Sequence, residues 1–264
     1  MRYECEQVEL KRKDDGTDLY LTKFWCPASW QDKNILMVHG LTYTQHVFDI
    51  KYKDYSVCEY FAKNGYTVWR LDLSGYGKSG KYEDGWKVTT QHAAEDEIYA
   101  LEKICELQGV EKLDLLGWSW GTMTTSKVAS QRPDLLKKVV WLGPCFGGAF
   151  EATPVTELHG MWVDHTYAQD GGHGRPNGGA KEIMEIGDGW LIDTKAVKVP
   201  VLIITGDNDF YVNIDRCYQA EKELPEGSKL LHLHGAGHAM YLEKDYYQTT
   251  REAILKGLSV NTDF

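Results

Sequence analysis

Apolar and polar residues alternate from Tyr3 to Leu10 and again from Leu19 to Trp25, with Asp14-Asp15-Gly16 between the two runs. That period of two predicts an antiparallel hairpin at the edge of a sheet. From Asn34 the pattern changes. Asn34 to His39 and Tyr66 to Asp72 are nearly unbroken apolar runs, as expected of parallel strands covered on both faces. A helix is expected between them around Tyr55 to Asn64, with Gly65 as its stop. Thr90 to Gln108 carries Ala94, Ile98, Leu101, Ile104 and Cys105 at helical spacing beneath a charged face. A buried strand from Leu113 to Leu116 follows, then a helical stretch from Thr122 to Ser130 and a strand from Lys137 to Leu142. Strands alternating with helices predict an α/β protein with a mostly parallel, doubly wound sheet.

The alternation stops from Gly143 to Lys198. This segment holds the glycine-rich run Gly171 to Gly179, with Phe146, Phe150, Met161, Trp162, Tyr167, Met184 and Trp190 on either side of that run. So long an interruption in a compact domain is usually functional. The pattern resumes with a strand from Val199 to Thr205, a helix near Ile214 to Glu223, a strand from Lys229 to Leu233 and a closing helix from Glu243 to Leu258.

Composition narrows the partners. The 264 residues are 42% hydrophobic and 26% charged, with a formal net charge of −10. Such a chain can form one large α/β core. Its acidity argues against nucleic acid or an anionic membrane as partner, since both call for a basic surface. The first residues carry charge where a secretory signal needs an apolar core, and no later run is long enough to span a membrane. The six cysteines are scattered without a C-x-x-C pair, which suits free thiols. A cytoplasmic protein is the expectation, with oligomeric state open.

The chemistry gathers at Gly117-Trp118-Ser119-Trp120-Gly121, set between a buried strand and a helix. Strand, G-x-S-x-G and helix form a nucleophile elbow: a tight turn holds the serine in a strained conformation and needs glycine two residues to either side. With this elbow, His39-Gly40 after the third strand, Asp72 to Ser79 in the place of a D-x-R-G-x-G-x-S loop (Ser74 standing where arginine is common), Gly206-Asp-Asn-Asp209 and Gly235-Ala-Gly-His238, the chain resembles the α/β-hydrolase superfamily over nearly all its length. The resemblance implies an α/β-hydrolase core from residues 1–142 and 199–264, with residues 143–198 as a short cap or lid insertion. It also implies that Asp72, Gly75, Gly77 and Ser79 shape a loop.

Ser119 needs a neighbouring base to become nucleophilic. His238 is the candidate, because an imidazole titrates near neutral pH and its loop is flanked by Gly235 and Gly237. An acid must orient that imidazole. Two carboxylates, Asp207 and Asp209, follow the same strand; the family's G-x-x-D spacing falls on Asp209. The amides of Trp120 and Leu41 are the expected oxyanion donors, with Gly40 letting its loop run close to substrate. Trp118, Trp162 and Tyr167 are the candidate substrate-contacting aromatics. No metal or cofactor is called for, because the insertion's histidines fit no standard ligand spacing. The expected activity is hydrolysis of a small or medium carboxylic ester or lactone through an acyl-enzyme. The same triad elsewhere serves thioesters, amides (prolyl aminopeptidases carry a similar G-x-S-W-G), carbon–carbon bonds, haloperoxidation and acyl transfer. An epoxide or haloalkane hydrolase would carry a carboxylate in place of Ser119. The reading from another class is a non-catalytic ligand-binding protein on a hydrolase scaffold.

Overall fold

The computed structural model describes residues 1–148, the backbone of 162–163, and residues 175–259. Ten strands are present among them: β1 Glu4–Lys11, β2 Asp18–Trp25, β3 Lys33–Val38, β4 Tyr66–Asp72, β5 Leu113–Trp118, β6 Leu136–Leu142, β7 Trp162–Val163, β8 Arg175–Pro176, β9 Val201–Gly206 and β10 Lys229–Leu233. The helices are α1 Val57–Lys63, α2 Thr90–Gln108, α3 Trp120–Gln131, α4 Gly178–Glu185, α5 Ile214–Glu223 and α6 Tyr247–Ser259. Eight strands make one sheet in the order β1-β2-β4-β3-β5-β6-β9-β10. The β1–β2 and β2–β4 pairs are antiparallel and the others parallel. The N-terminal hairpin therefore does lie at the edge, as the alternation predicts.

Every residue of β4, β5 and β9 is buried, which is why their sequences do not alternate. Two apolar clusters cover the faces of the sheet. One packs α2, α3 and α5 around Leu36, Trp69, Leu115 and Trp141. The other packs α1 and α6 around Ile35, Val68, Leu116 and Ile204. Cys145, Phe146, Ile192 and Val197, at the two ends of the expected cap, belong to the first cluster.

One sequence expectation is corrected here. The closing helix begins at Tyr247 rather than Glu243, because Glu243 and Tyr246 are committed elsewhere. The Glu243 carboxylate accepts from the Gly237 amide at 2.9 Å, and the Tyr246 hydroxyl donates to the His234 carbonyl at 2.8 Å. Both residues thus brace the loop that carries His238. The glycine-rich run also ends in close packing: Gly178 and Gly179 begin α4 and are buried. A Cβ at Gly178 would meet the Val88 carbonyl oxygen at 2.4 Å, and one at Gly179 would meet the Trp120 indole at 2.6 Å. The rest of that run, 171–174, lies outside the described residues, as do Phe150, Met161 and Tyr167 and the side chain of Trp162.

The buried Asp114 on β5 gives the fold a pH dependence. Burial pushes its carboxyl up to about 7, against partial relief from Lys137 and Lys138. A carboxyl whose folded pKa lies above the unfolded value keeps its proton longer in the native state. Stability contributed at this position therefore declines as pH rises from about 4 to about 7 and is level above that. Asp114→Asn should stabilise the protein by a few kcal/mol at pH 8 and not at all at pH 3.5, as urea unfolding at a series of pH values would show. A gain that does not vary with pH would refute this account.

Candidate active site

The Ser119 turn is built by close backbone packing. A Cβ at Gly117 would fall 2.2 Å from the Gly121 carbonyl oxygen, and one at Gly121 would fall 2.8 Å from that of Val38. Ser119 itself has φ 57° and ψ −124°. It is one of two non-glycine residues with positive φ among the described residues, and such a conformation costs on the order of 1–3 kcal/mol. The turn is held by the Ser119 amide donating to the Leu142 carbonyl at 2.9 Å and by the Thr122 amide and hydroxyl donating to the Ser119 carbonyl at 2.8 and 2.6 Å.

Three strand ends then bring three side chains together. Ser119 follows β5, Asp209 follows β9 and His238 follows β10. His238 Nε2 lies 2.8 Å from Ser119 Oγ, and its Nδ1 lies 2.7 Å from Asp209 Oδ2. The arrangement fits a tautomer in which Nδ1–H donates to the carboxylate and Nε2 accepts from the hydroxyl. Asp209 is buried, and its second oxygen accepts from the Tyr211 amide at 3.0 Å. Asp207 faces elsewhere: its oxygens bond the Gly235 amide and His234 Nδ1. The carboxylate that reaches His238 is thus that of Asp209.

Contacts that the sequence reading did not anticipate shape this centre. Gly143, with φ 53°, lies against the Asp–His pair; a Cβ there would stand 3.0 Å from His238 Nδ1 and 3.1 Å from Asp209 Oδ2. The Trp118 indole donates to the His238 carbonyl at 2.9 Å and packs its ring 5.4 Å from the imidazole. Cys145 Sγ is 3.9 Å from Ser119 Oγ. Burial pushes this thiol up to about 12, so at neutral pH it is a protonated neighbour rather than a rival nucleophile. A glycine directly after β6 was the one visible signal for Gly143; nothing local marks Cys145.

Trp120 is the first residue of α3, so its amide is one of those without an intrahelical acceptor, at the positive end of the helix. Gly40 packs against Ser119: a Cβ there would lie 3.0 Å from Ser119 Cβ. The adjoining Gly40–Leu41 peptide is oriented by His39. That ring is fully buried, and burial pulls its pKa down to about 4. Neutral His39 donates from Nδ1 to the Gly40 carbonyl at 2.8 Å and accepts from the Leu73 amide at Nε2 at 3.3 Å. In a planar trans peptide the carbonyl and the next N–H point in opposite directions. Fixing the Gly40 oxygen therefore aims the Leu41 amide. The loop below is shaped as expected: Asp72 accepts from the Gln45 and Lys78 amides at 2.8 and 3.0 Å, and Ser79 bonds the Asp72 carbonyl. At Ser74 the amide and hydroxyl both bond Asp96, which also pairs with buried Arg12.

A cleft of about 420 Å³ opens over Ser119, within the roughly 300–1,000 Å³ usual for small-molecule sites. Among the described residues its walls include Gly40, Leu41, Trp118, Trp120, Cys145 and His238, with Tyr43, Tyr211, Ile183 and Met184 adding apolar surface and Arg175 a guanidinium. Trp118 is thus one of the residues lining the cleft. Trp162 and Tyr167 cannot be placed against the cleft, since they lie outside the described side chains. Among the described residues no helix is long and apolar enough to cross a membrane.

Solved structures share this architecture at low identity. A thermophilic esterase from Thermogutta terrifontis is 17% identical, with 96% of this chain and 100% of that one covered, at a TM-score of 0.67. A bromoperoxidase from Bacillus anthracis is 17% identical over 97% and 100% of the two chains, at 0.69. An epoxide hydrolase from Vigna radiata is 16% identical over 96% and 97%, at 0.67. Three differently named activities on one scaffold make this a likeness of fold. The sequence profile of the alpha/beta hydrolase fold family matches residues 33–187, more than half of the chain and including the elbow. With the sheet order and the elbow geometry, this means that the chain belongs to the alpha/beta hydrolase fold family.

Proposed function

We propose that the protein is a serine hydrolase that cleaves a small or medium carboxylic ester or lactone through an acyl-enzyme, with Ser119 as nucleophile, His238 as base and Asp209 as orienting acid. The observation that carries the reading is the continuous contact from Ser119 Oγ through the imidazole to Asp209, at 2.8 and 2.7 Å. His238 Nε2 takes the serine proton as Oγ attacks the acyl carbon, and the buried carboxylate stabilises the imidazolium that forms. The amides of Trp120 and Leu41 receive the charge that develops on the carbonyl oxygen. Collapse of the tetrahedral intermediate passes the proton to the leaving alkoxide. Water, activated by the same imidazole, then releases the acid.

Residues 143–198 act as a cap in this reading. Arg175, Ala180, Ile183 and Met184 from that segment all line the cleft. The apolar walls suit an uncharged acyl or alcohol chain of modest length. Labelling by a fluorophosphonate probe, competed by substrate, tests the nucleophile and separates an enzyme from a binding protein on the same scaffold. Turnover across p-nitrophenyl esters of increasing chain length, beside thioester, lactone and aminoacyl anilide substrates, tests the bond. No labelling at Ser119 in the folded protein would overturn the proposal.

His39 supplies a further expected result. Removing one oxyanion donor typically costs about 10²–10³ in kcat; loosening its aim should cost less. His39→Ala should lower kcat by roughly tenfold to a hundredfold with KM little changed, because the lost interaction belongs to the transition state. A change in KM alone would show that His39 shapes the pocket and does not aim the amide.

A further inference from the structure

Asp207 is the carboxylate that does not serve His238, and it has its own company. It is the first residue after β9. His232 and His234 stand two apart at the end of the edge strand β10, so both project from one face, with ring centroids 4.2 Å apart. His234 Nδ1 and His232 Nε2 lie 3.0 and 3.4 Å from the same oxygen, Asp207 Oδ2. One ligand-type atom from each of the three residues falls within 4.8 Å of the others. A tetrahedral ion with bonds of about 2.0–2.1 Å holds its ligand atoms about 3.3–3.4 Å apart. The observed separations need little adjustment to meet that, and the exposed His234 ring is free to make it.

The groups around the three ligands complete the case. His232 Nε2 is buried and makes no hydrogen bond, although it is aimed at the carboxylate. The other nitrogen of that ring is engaged: Nδ1 meets the Tyr218 hydroxyl at 2.9 Å, which fixes the ring, and Nε2 ligates in the tautomer whose Nδ1–H donates to that hydroxyl oxygen. The second oxygen of Asp207 accepts from the Gly235 amide, leaving Oδ2 to bind as a single donor. Ligands held from behind by hydrogen bonds in this way are the usual construction of a metal site. Two imidazoles and one carboxylate suit zinc, nickel or cobalt rather than calcium or magnesium.

We propose that Asp207, His232 and His234 bind one divalent transition-metal ion of the zinc class, with water completing the coordination. The ion would not touch the reacting atoms. Asp207 precedes Asp209 by two residues, and His234 precedes His238 by four. The two loops are already joined by the Asn208 amide to the Ala236 carbonyl and by Asn208 Nδ2 to the Gly235 carbonyl, both at 3.0 Å. A bound ion would add a further tie between the loop carrying the acid and the loop carrying the base.

The test is calorimetric titration of tag-free protein with Zn²⁺ and Co²⁺, with melting temperature followed alongside. One equivalent should bind and raise the melting temperature. His234→Gln, a change at an exposed side chain, should weaken binding at least tenfold, and His232→Gln likewise; Ser119→Ala should bind as the wild type does. If His232→Gln does not fold, His234→Gln decides alone. Binding below one equivalent, unchanged affinity in His234→Gln, or a thiolate charge-transfer band in the Co²⁺ spectrum would each overturn the proposal, the last by placing the ion on cysteine.

Discussion

Ser119→Ala should abolish labelling by fluorophosphonates and lower kcat by about 10⁴–10⁶, the range found when a member of such a triad is deleted. The fold should survive. Among the described residues, the hydrogen-bond partners of Ser119 Oγ are His238 and the Cys145 sulfur, and the bonds that hold the turn come from its backbone. Alanine would inherit the same positive φ, so the strain neither grows nor disappears. The variant should melt within a few degrees of wild type. Turnover by Ser119→Ala that keeps wild-type sensitivity to serine-directed inhibitors would sink the assignment of the nucleophile.

The two aspartates that follow β9 should differ sharply. Asp209→Asn should lower kcat by roughly 10³–10⁴, because a neutral amide neither stabilises the imidazolium nor enforces the tautomer that leaves Nε2 open to the serine. Asp207→Asn should leave kcat within a few-fold. Its partners are the Gly235 amide and His234, so the expected loss is a small one of stability, that of exposed hydrogen bonds. Measuring kcat for both variants at several pH values separates them at once. If Asp207→Asn is the crippled enzyme, the acid lies two residues upstream and the geometry of this loop has been misread.

What could be read from the chain followed the range of the interactions involved. The hairpin, α2, α5 and β10 appear where their period predicts, because burial on one face or both is written into neighbouring residues. Ser119, Asp209 and His238 were legible because each sits at a strand end in a turn with its own glycine signature. His39, Gly143 and the Trp118 indole were not given their roles, since each depends on a residue reached only through the fold: His39 on the Leu73 amide that holds its ring, Gly143 and Trp118 on the His238 loop. The same holds for the start of α6, where Glu243 is drawn away by Gly237. The H-x-H of β10 is plain in the sequence, but its carboxylate arrives from the neighbouring strand.

The strand order has a consequence for how the molecule behaves in a crowd. β1 pairs only with β2 and leaves one row of backbone donors and acceptors without a partner strand among the described residues. Such an edge is a template on which another chain can polymerise. Glu4, Glu6, Glu9 and Lys11 lie along this strand, three of the four acidic, and most of the strand's side chains are exposed. A second copy arriving edge to edge would set carboxylates against carboxylates before any ladder could close. Charge with no part in the proposed chemistry would thus guard the sheet against aggregation, and variants that neutralise it should keep their activity while losing their shelf life.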